Sequence, residues 1–337
     1  MSFSTAQDFK AALDDLPRPD KAAIAAAAAR QAQLTKPAGS LARLEDIALF
    51  LAGWQGRERP YIDRAQAIVF AGNHGVAVHG VSAFPPAVTA QMVANFEAGG
   101  AAINALARAA GLDLKVVALD LDRPTADFLS APAMTEAECL AALGAGARAV
   151  AEGIDLLVLG EMGIANSTAA AALCARSFGG SAADWIGPGS GVDGAGLSRK
   201  AQVVDAALAF HRDAPMTAFE TLRRVGGREI AAIAGAVLEA RRRRIPVVMD
   251  GFICCSALAP LAMAQPAITD HLIAGHCSAE PGHARLLDAL GLDPLLRLNM
   301  RLGEGSGAAV AVQVIRAAIT AHAEMATFAE AGVSGAA

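Results

Sequence analysis

LLVLGEMGIANSTAAAALCA, residues 156–175, decides how this chain is read. Leu156 to Leu159 is an unbroken apolar run, as expected of a strand buried on both faces. Gly160 to Asn166 is too rich in glycine and polar residues to continue it. From Ser167 the alanine-rich run predicts a helix, with Asn166 or Ser167 as its N-cap. A strand therefore ends at a carboxylate, Glu161, and a loop delivers free backbone N–H groups at a helix start. Such a start favours an anion by about 0.3–1 kcal/mol, and by up to about 2 when partly buried. A tight turn with a solvated Glu would give the same pattern once. The layout recurs along the chain, and the recurrence favours a site.

The recurring strands are AQAIVFAG, ending at Asn73-His74-Gly75; LKVVALDL, ending at Asp120 and Asp122; LLVLG; IPVVMDGF, ending at Asp250; HLIAGH, ending at His276; and LLRLNMRLG, ending at Glu304. Helical patterns separate most of them, over 87–109, 135–151, 168–176, 198–211, 228–244 and 278–290. Short apolar strands alternating with helices predict right-handed crossovers and a parallel sheet. Ligands of such sheets bind outside the carboxyl ends of the strands, where His74, Asp120, Glu161, Asp250, His276 and Glu304 stand. No strand pattern precedes Tyr61. Helices over 5–16 (with Thr5 and Asp8 as a capping box), 20–34 and from a Ser40 cap onward predict a small helical domain over 1–60, completed by about 308–337. The large α/β domain then spans 61–307.

Two further loops suit an anion. DWIGPGSGVD (184–193) clusters Gly187, Gly189, Ser190 and Gly191, which permits a nest of N–H donors. Lys200 follows early in a helix and adds a point charge. Gly303-Glu304-Gly305-Ser306-Gly307 opens the helix over 308–321, and a carboxylate flanked by glycines suits a general base. Lys36, in the Lys36-Pro37-Ala38-Gly39 loop, could reach a phosphate, but a lone loop lysine is more often solvated.

Composition narrows the function classes. The chain has 337 residues, is 54% hydrophobic and carries a net charge of −5. No basic stripe suggests nucleic acid; the one basic run, Arg241 to Arg244, ends a helix and complements its dipole. The five cysteines are odd in number and form no C-x-x-C pair, which predicts reduced thiols and a cytoplasmic protein. The histidines lack zinc-ligand spacing. The N-terminus has no apolar signal-peptide core, and no run is long enough and free enough of charge to span a membrane.

The chain resembles the nicotinate-nucleotide–dimethylbenzimidazole phosphoribosyltransferase family of cobalamin biosynthesis. The resemblance rests on KPAGSLARLEDIA (36–48), the segment from AGNHG through INALAR (71–108), GEMGIANSTAAAAL (160–173), GPGSGVD (187–193), VGGREIAAIAGAVLEARRRRIPVVMDGFI (225–253), SAEPGH (278–283), RLGEGSGAA (301–309) and EMATFAEAGVS (324–334). One departure is Asn73 in the AGNHG loop, where many members carry Asp.

The resemblance implies an α/β fold with a Rossmann-like parallel sheet. It implies transfer of ribose 5-phosphate from nicotinate mononucleotide to 5,6-dimethylbenzimidazole, with inversion. It places Glu304 as general base and Glu161 as a support for the acceptor or the developing charge. Gly163, Asn166, Ser167, Gly187, Gly189, Ser190 and Lys200 are implied to hold phosphate and ribose. Ser82, Phe84 and Gln91, with Met162 and Leu302 as apolar walls, are implied to line the acceptor slot. Neither a metal nor another cofactor is expected, and the family pattern implies a homodimer. Two other readings fit the same residues: transfer to another acceptor, such as adenine or a phenol, and a non-catalytic sensor of nucleotides or bases.

Overall fold

In the computed structural model, which describes residues 1–189 and 191–334, one parallel sheet forms the centre of the molecule. Its strands are β1 (Ala65–Ala71), β2 (Leu112–Ala118), β3 (Leu156–Met162), β4 (Val247–Met249) and β5 (Leu272–Ala274), in the order β2-β1-β3-β4-β5. The chain passes from β1 outward to β2 and then returns to β3 on the other side of β1. Strand order thus reverses between β1 and β3, which opens a crevice at their carboxyl ends.

Successive side chains of a strand point to opposite faces, and here both faces are covered. Ile68, Phe70, Leu157, Leu159 and Met249 join one apolar cluster; Ala67, Val69, Leu156, Val158 and Val248 join the other. This double burial is why Leu156–Leu159 reads as an unbroken apolar run. Each such Leu, Ile or Val contributes about 1.5–3 kcal/mol relative to an exposed position.

Helices α1 (Ala6–Asp14), α2 (Lys21–Gln31) and α3 (Arg43–Gln55) precede β1, and α4 (Ala87–Glu97) and α5 (Ala102–Ala110) connect it to β2. Helix α6 (Glu136–Ala149) leads into β3. Helices α7 (Asn166–Phe178), α8 (Gly194–Phe210), α9 (Ala218–Val225) and α10 (Arg228–Arg242) lie between β3 and β4. Helices α11 (Phe252–Ser256) and α12 (Ala259–Ala264) precede β5, and α13 (Pro281–Leu290), α14 (Ser306–Glu324) and α15 (Phe328–Ala331) follow it. Helices α6 and α10 pack on one face of the sheet; α5 and α14 cover the other. Helix α3 packs against α2 and α14, and Arg30 of α2 donates to the carbonyls of His322, Ala323 and Met325. Helix α1, closed by its Thr5–Asp8 capping box, places Phe9 against Phe219 of α9.

Several sequence expectations need correction. LLRLNMRLG is not a sixth strand. Leu295 and Leu296 donate to the carbonyls of Ala274 and Gly275, and the carbonyls of Leu296 and Met300 accept from Cys277 and Ala279, but the segment makes only an isolated bridge at Leu296 and runs on as a loop. The helix expected over 87–109 is two helices, broken at Gly99, whose φ of +79° the helix cannot contain. The residue before α7 is Ala165 at φ 73°, so neither Asn166 nor Ser167 is its N-cap. Helix α3 starts after Ala42 without a side-chain cap, and Ser40 is not its N-cap. Helix α8 begins earlier than expected, where Asp193 accepts from the Gly196 N–H. Lys36 is not solvated: it is buried against Glu45 at 2.8 Å. The arginine run is structural. Arg241 donates to the Pro17 carbonyl and lies 4.4 Å from the Trp54 ring centroid, Arg242 pairs with Glu239, and Arg243 donates to the carbonyls of Val150 and Ala151. No helix of the described residues is long and apolar enough to cross a membrane.

Candidate active site

Strand β3 carries Glu161 one residue from its end, paired with Phe70 of β1. The turn that follows brings Asn166 back, and its Nδ2 donates to Glu161 Oε2 at 2.6 Å. Opposite stands the turn that opens α14. Gly303, Glu304 and Gly305 all have positive φ, at 85°, 66° and 84°. For a glutamate this conformation costs about 1–3 kcal/mol and persists only where its surroundings enforce it.

Three features enforce it. The Glu304 N–H donates to the Glu161 carbonyl at 3.3 Å. Asp250, just beyond β4, accepts from the N–H groups of Gly305 at 3.1 Å and Ala308 at 2.9 Å. Gly160 lets the turn press against β3, because a Cβ there would collide with the Glu304 carbonyl. The Glu304 side chain, 5% exposed, accepts the Ile103 N–H at 3.3 Å.

These carboxylates hold their protons more tightly than free ones. Burial pushes Glu161 up to about 8, assisted by the negative charges of Asp250, Glu229 and Glu304 and opposed by Asn166. Burial also raises Glu304, and Asp250 adds to the shift. His276, at the end of β5, places Nε2 3.3 Å from Asp250 Oδ1.

The second part of the site is the cradle that the sequence predicts for an anion. Lys200 of α8 is 1% exposed and donates to Ser167 Oγ at 2.9 Å and to the Gly187 carbonyl at 3.0 Å. Burial lowers its pKa to about 8, and Glu280 acts in the opposite direction. Glu280 itself accepts the Gly189 N–H at 3.0 Å. Ser190 lies outside the described residues.

One cavity of about 660 Å³ takes in Ser82, Phe84, Glu161, Met162, Gly163, Asn166, Ser167, Gly189, Leu302 and Glu304. Most of the sequence-predicted site residues are therefore gathered on one surface. Gly187 and Lys200 stand behind the lining and reach it through Ser167. Gln91 is exposed on α4 and outside the lining; Val88 and Met92 of that helix take the wall instead. Phe84 and Leu302, expected at the acceptor slot, are 51% and 57% exposed and are not core.

Sequence reasoning gave no role to Ser278, Glu280, Arg301, Phe252 or Ile253, all of which line the cavity. SAEPGH was the only signal for the first two, and the strand-end rule pointed to His276. Of the other strand-end residues, His74 is buried against Glu229 at 2.6 Å, and Asp120 pairs with Arg123 near the surface. Asn73 donates to the Leu121 carbonyl at 2.9 Å and does not line the cavity.

The arrangement offers two buried carboxylates beside an apolar slot, next to N–H groups, a hydroxyl and an ammonium suited to a phosphate. A family profile described as Phosphoribosyltransferase matches residues 16–333. A nicotinate-nucleotide–dimethylbenzimidazole phosphoribosyltransferase of Novosphingobium aromaticivorans is 72% identical over 332 residues, covering 98% of each chain. The enzyme of the same name from Cereibacter sphaeroides is 56% identical over 98% of each. The crystal structure of CobT from Thermus thermophilus superposes with a TM-score of 0.87 at 44% identity, covering 94% of this chain and 100% of that one. The chain belongs to the nicotinate-nucleotide–dimethylbenzimidazole phosphoribosyltransferase family.

Proposed function

We propose that this chain transfers ribose 5-phosphate from nicotinate mononucleotide to a ring nitrogen of 5,6-dimethylbenzimidazole, with inversion at the anomeric carbon. The products are α-ribazole 5′-phosphate and nicotinate, and the reaction serves assembly of the cobalamin lower ligand. The observation that carries this reading is the single cavity joining Glu304 and Glu161 to the Ser167–Gly189 side of the cradle.

The donor's pyridine nitrogen is already cationic, so it leaves as a neutral ring without a general acid. The acceptor attacks through its unprotonated nitrogen, which acidifies the proton on the other. Glu304 takes that proton. Its raised pKa suits it to the task, because a base works best when its pKa lies near the operating pH. Glu161, held by Asn166, keeps a proton near neutrality and limits the negative charge beside Glu304. Lys200, Ser167 and the Gly187–Gly189 turn seat the phosphate, with Gly163 and Asn166 beside the ribose. Phe84, Val88, Met92, Met162 and Leu302 take the flat aromatic ring, with Ser82 at its edge. Holding both substrates in register can supply about 7–11 kcal/mol of the barrier.

The exposed Phe84 and Leu302 at the slot support a homodimer in which a second copy covers the opening. The part that would do so is the helical segment of residues 1–60, whose α3 packs against α14. All five cysteines are free, which supports a reducing, cytoplasmic setting. The test is a mass-spectrometric product assay with nicotinate mononucleotide and a panel of azole, purine and phenol acceptors. α-Ribazole phosphate as the preferred product is expected; no ribosyl transfer to any acceptor would overturn the reading. Light scattering that returned a monomer at working concentration would overturn the dimer.

A further inference from the structure

The cradle already holds a carboxyl group of its own. Glu280, the residue before α13, is 8% exposed, and its Oε1 accepts the Gly189 N–H at 3.0 Å. Its Oε2 is buried without a hydrogen-bond partner. That oxygen lies so close over Gly187 that a Cβ there would collide with it. The carboxylate therefore occupies a donor that a phosphate oxygen would use, within the field of the Lys200 ammonium. Pro281 follows it directly as the first residue of α13 and fixes the backbone on that side. Swinging the side chain out to water would break its bond to the Gly189 N–H.

A phosphate cannot share this turn with an ionised carboxylate, since like charges at such range repel strongly in a partly buried site. A proton removes the conflict. We propose that Glu280 is a binding residue for the donor's phosphate in its carboxylic-acid form: ionised in the free chain, it gives up the Gly189 N–H to phosphate and takes one proton from solvent, which it keeps and points at a phosphate oxygen as a hydrogen bond. The inference rests on the function proposed above and names how that site pays for a second anion.

Burial already raises Glu280 above the usual carboxylate range, while Lys200, the Gly189 N–H and Arg301 act the other way. The remaining titratable groups on the cavity are Glu161, His276 and Glu304; His283, on α13 itself, is turned to Ser278.

The test is calorimetric titration of nicotinate mononucleotide, and separately of inorganic phosphate, into the full-length wild-type protein and Glu280→Gln. Each titration is run from pH 6 to 9 in two buffers of different ionisation enthalpy. The phosphate's own proton exchange is common to both proteins, whereas loss of the Glu280 charge lowers Lys200 and adds proton uptake to the variant. That has the opposite sign to the uptake expected of residue 280, so a wild-type excess reports Glu280. The wild type is expected to take up at least about half a proton more per site at the pH of greatest difference. The ratio of Glu280→Gln to wild-type affinity is expected to widen toward tenfold per pH unit on the alkaline side. Equal proton counts with parallel affinity curves would overturn the inference while leaving the donor reading intact. Failure of nicotinate mononucleotide to bind either protein would overturn the donor reading instead. Should Glu280→Gln not fold, as judged by its melting curve, titration of the wild type with sulfate decides. Sulfate has no proton to exchange in this range, and its binding below pH 7.5 without proton uptake would overturn the proposal.

Discussion

Glu304 donates its backbone N–H to the carbonyl of Glu161 at 3.3 Å, so the helix start that carries one carboxylate is pinned to the strand that carries the other. The bond is made by the main chain, and a side-chain substitution at either position leaves it in place. Glu304→Gln is therefore expected to keep the turn and lose only the base. The turnover number should fall by about 10²–10⁴-fold, the range typical of general-base assistance. Nicotinate mononucleotide binding, followed by calorimetry, should change little. In the wild type, burial raises Glu304, so kcat/KM should fall as the medium becomes more acidic and the base is protonated. Unchanged turnover in Glu304→Gln would remove the residue from this role.

Glu161 makes a prediction about stability. Its pKa is about 8 in the folded chain against an ordinary carboxyl value of 4.5. Between those two values the folded state holds a proton that the unfolded state has released. Stability must then fall as pH rises through that window, and this contribution levels off above it. Glu161→Gln carries no titrating group there. Its melting temperature should decline less than that of the wild type between pH 5 and 8, and the two curves should run parallel above 8.5. Parallel curves throughout would mean that Glu161 is not held protonated.

Much of this site was legible because one local pattern builds it. Leu156–Leu159 and the alanine run after Ser167 fixed a strand, a loop and a helix, and Glu161, Met162, Gly163, Asn166 and Ser167 fell on the cavity together. What failed had physical causes. Residues 295–303 alternate apolar and polar as a strand does, but alternation cannot tell whether a neighbouring strand offers a free edge along its whole length. Gln91 was placed on the wall where Met92 stands, and one residue along a helix turns the side chain by about 100°. Alanine-rich sequence fixes the existence of a helix better than its phase. Helices α11 and α12 are too short to be stable alone; tertiary burial makes them, which periodicity does not report. Glu280 and Arg301 reach the cavity from loops remote in sequence from Glu161.

Lys200 separates donor affinity from chemistry. It is buried with two hydrogen bonds, to Ser167 and to the Gly187 carbonyl, and stands behind the lining. Hydrogen bonds involving a charged group contribute about 1.5–3 kcal/mol, which corresponds to roughly 10- to 100-fold. Lys200→Ala should raise the KM for nicotinate mononucleotide by that factor, with the KM for dimethylbenzimidazole little changed. Lys200→Arg should not fully restore it, because a planar guanidinium does not reproduce the ammonium's two bonds to Ser167 Oγ and the Gly187 carbonyl. Initial rates at varied donor and saturating acceptor would measure this. An effect confined to the acceptor would contradict the assignment.

The same substitution at two glycines should have opposite consequences. Gly160 sits in β3, paired with Val69 of β1, and a Cβ there would strike the Glu304 carbonyl. The strand is held by neighbours on both sides, so the Glu304 turn must move. Overpacking of this kind costs about 1–3 kcal/mol, and the displaced turn is the one that aims the base. Gly160→Ala should lower both the melting temperature and kcat, although residue 160 does not line the cavity. Gly194 is the first residue of α8, and a Cβ there meets nothing within 4 Å. Gly194→Ala restricts the unfolded chain without a clash, so it should stabilise by about 0.4–1 kcal/mol and leave turnover unchanged. Thermal melts and steady-state rates on the pair decide the matter. A fully active, undestabilised Gly160→Ala would mean that contact between β3 and the turn does not set the position of Glu304.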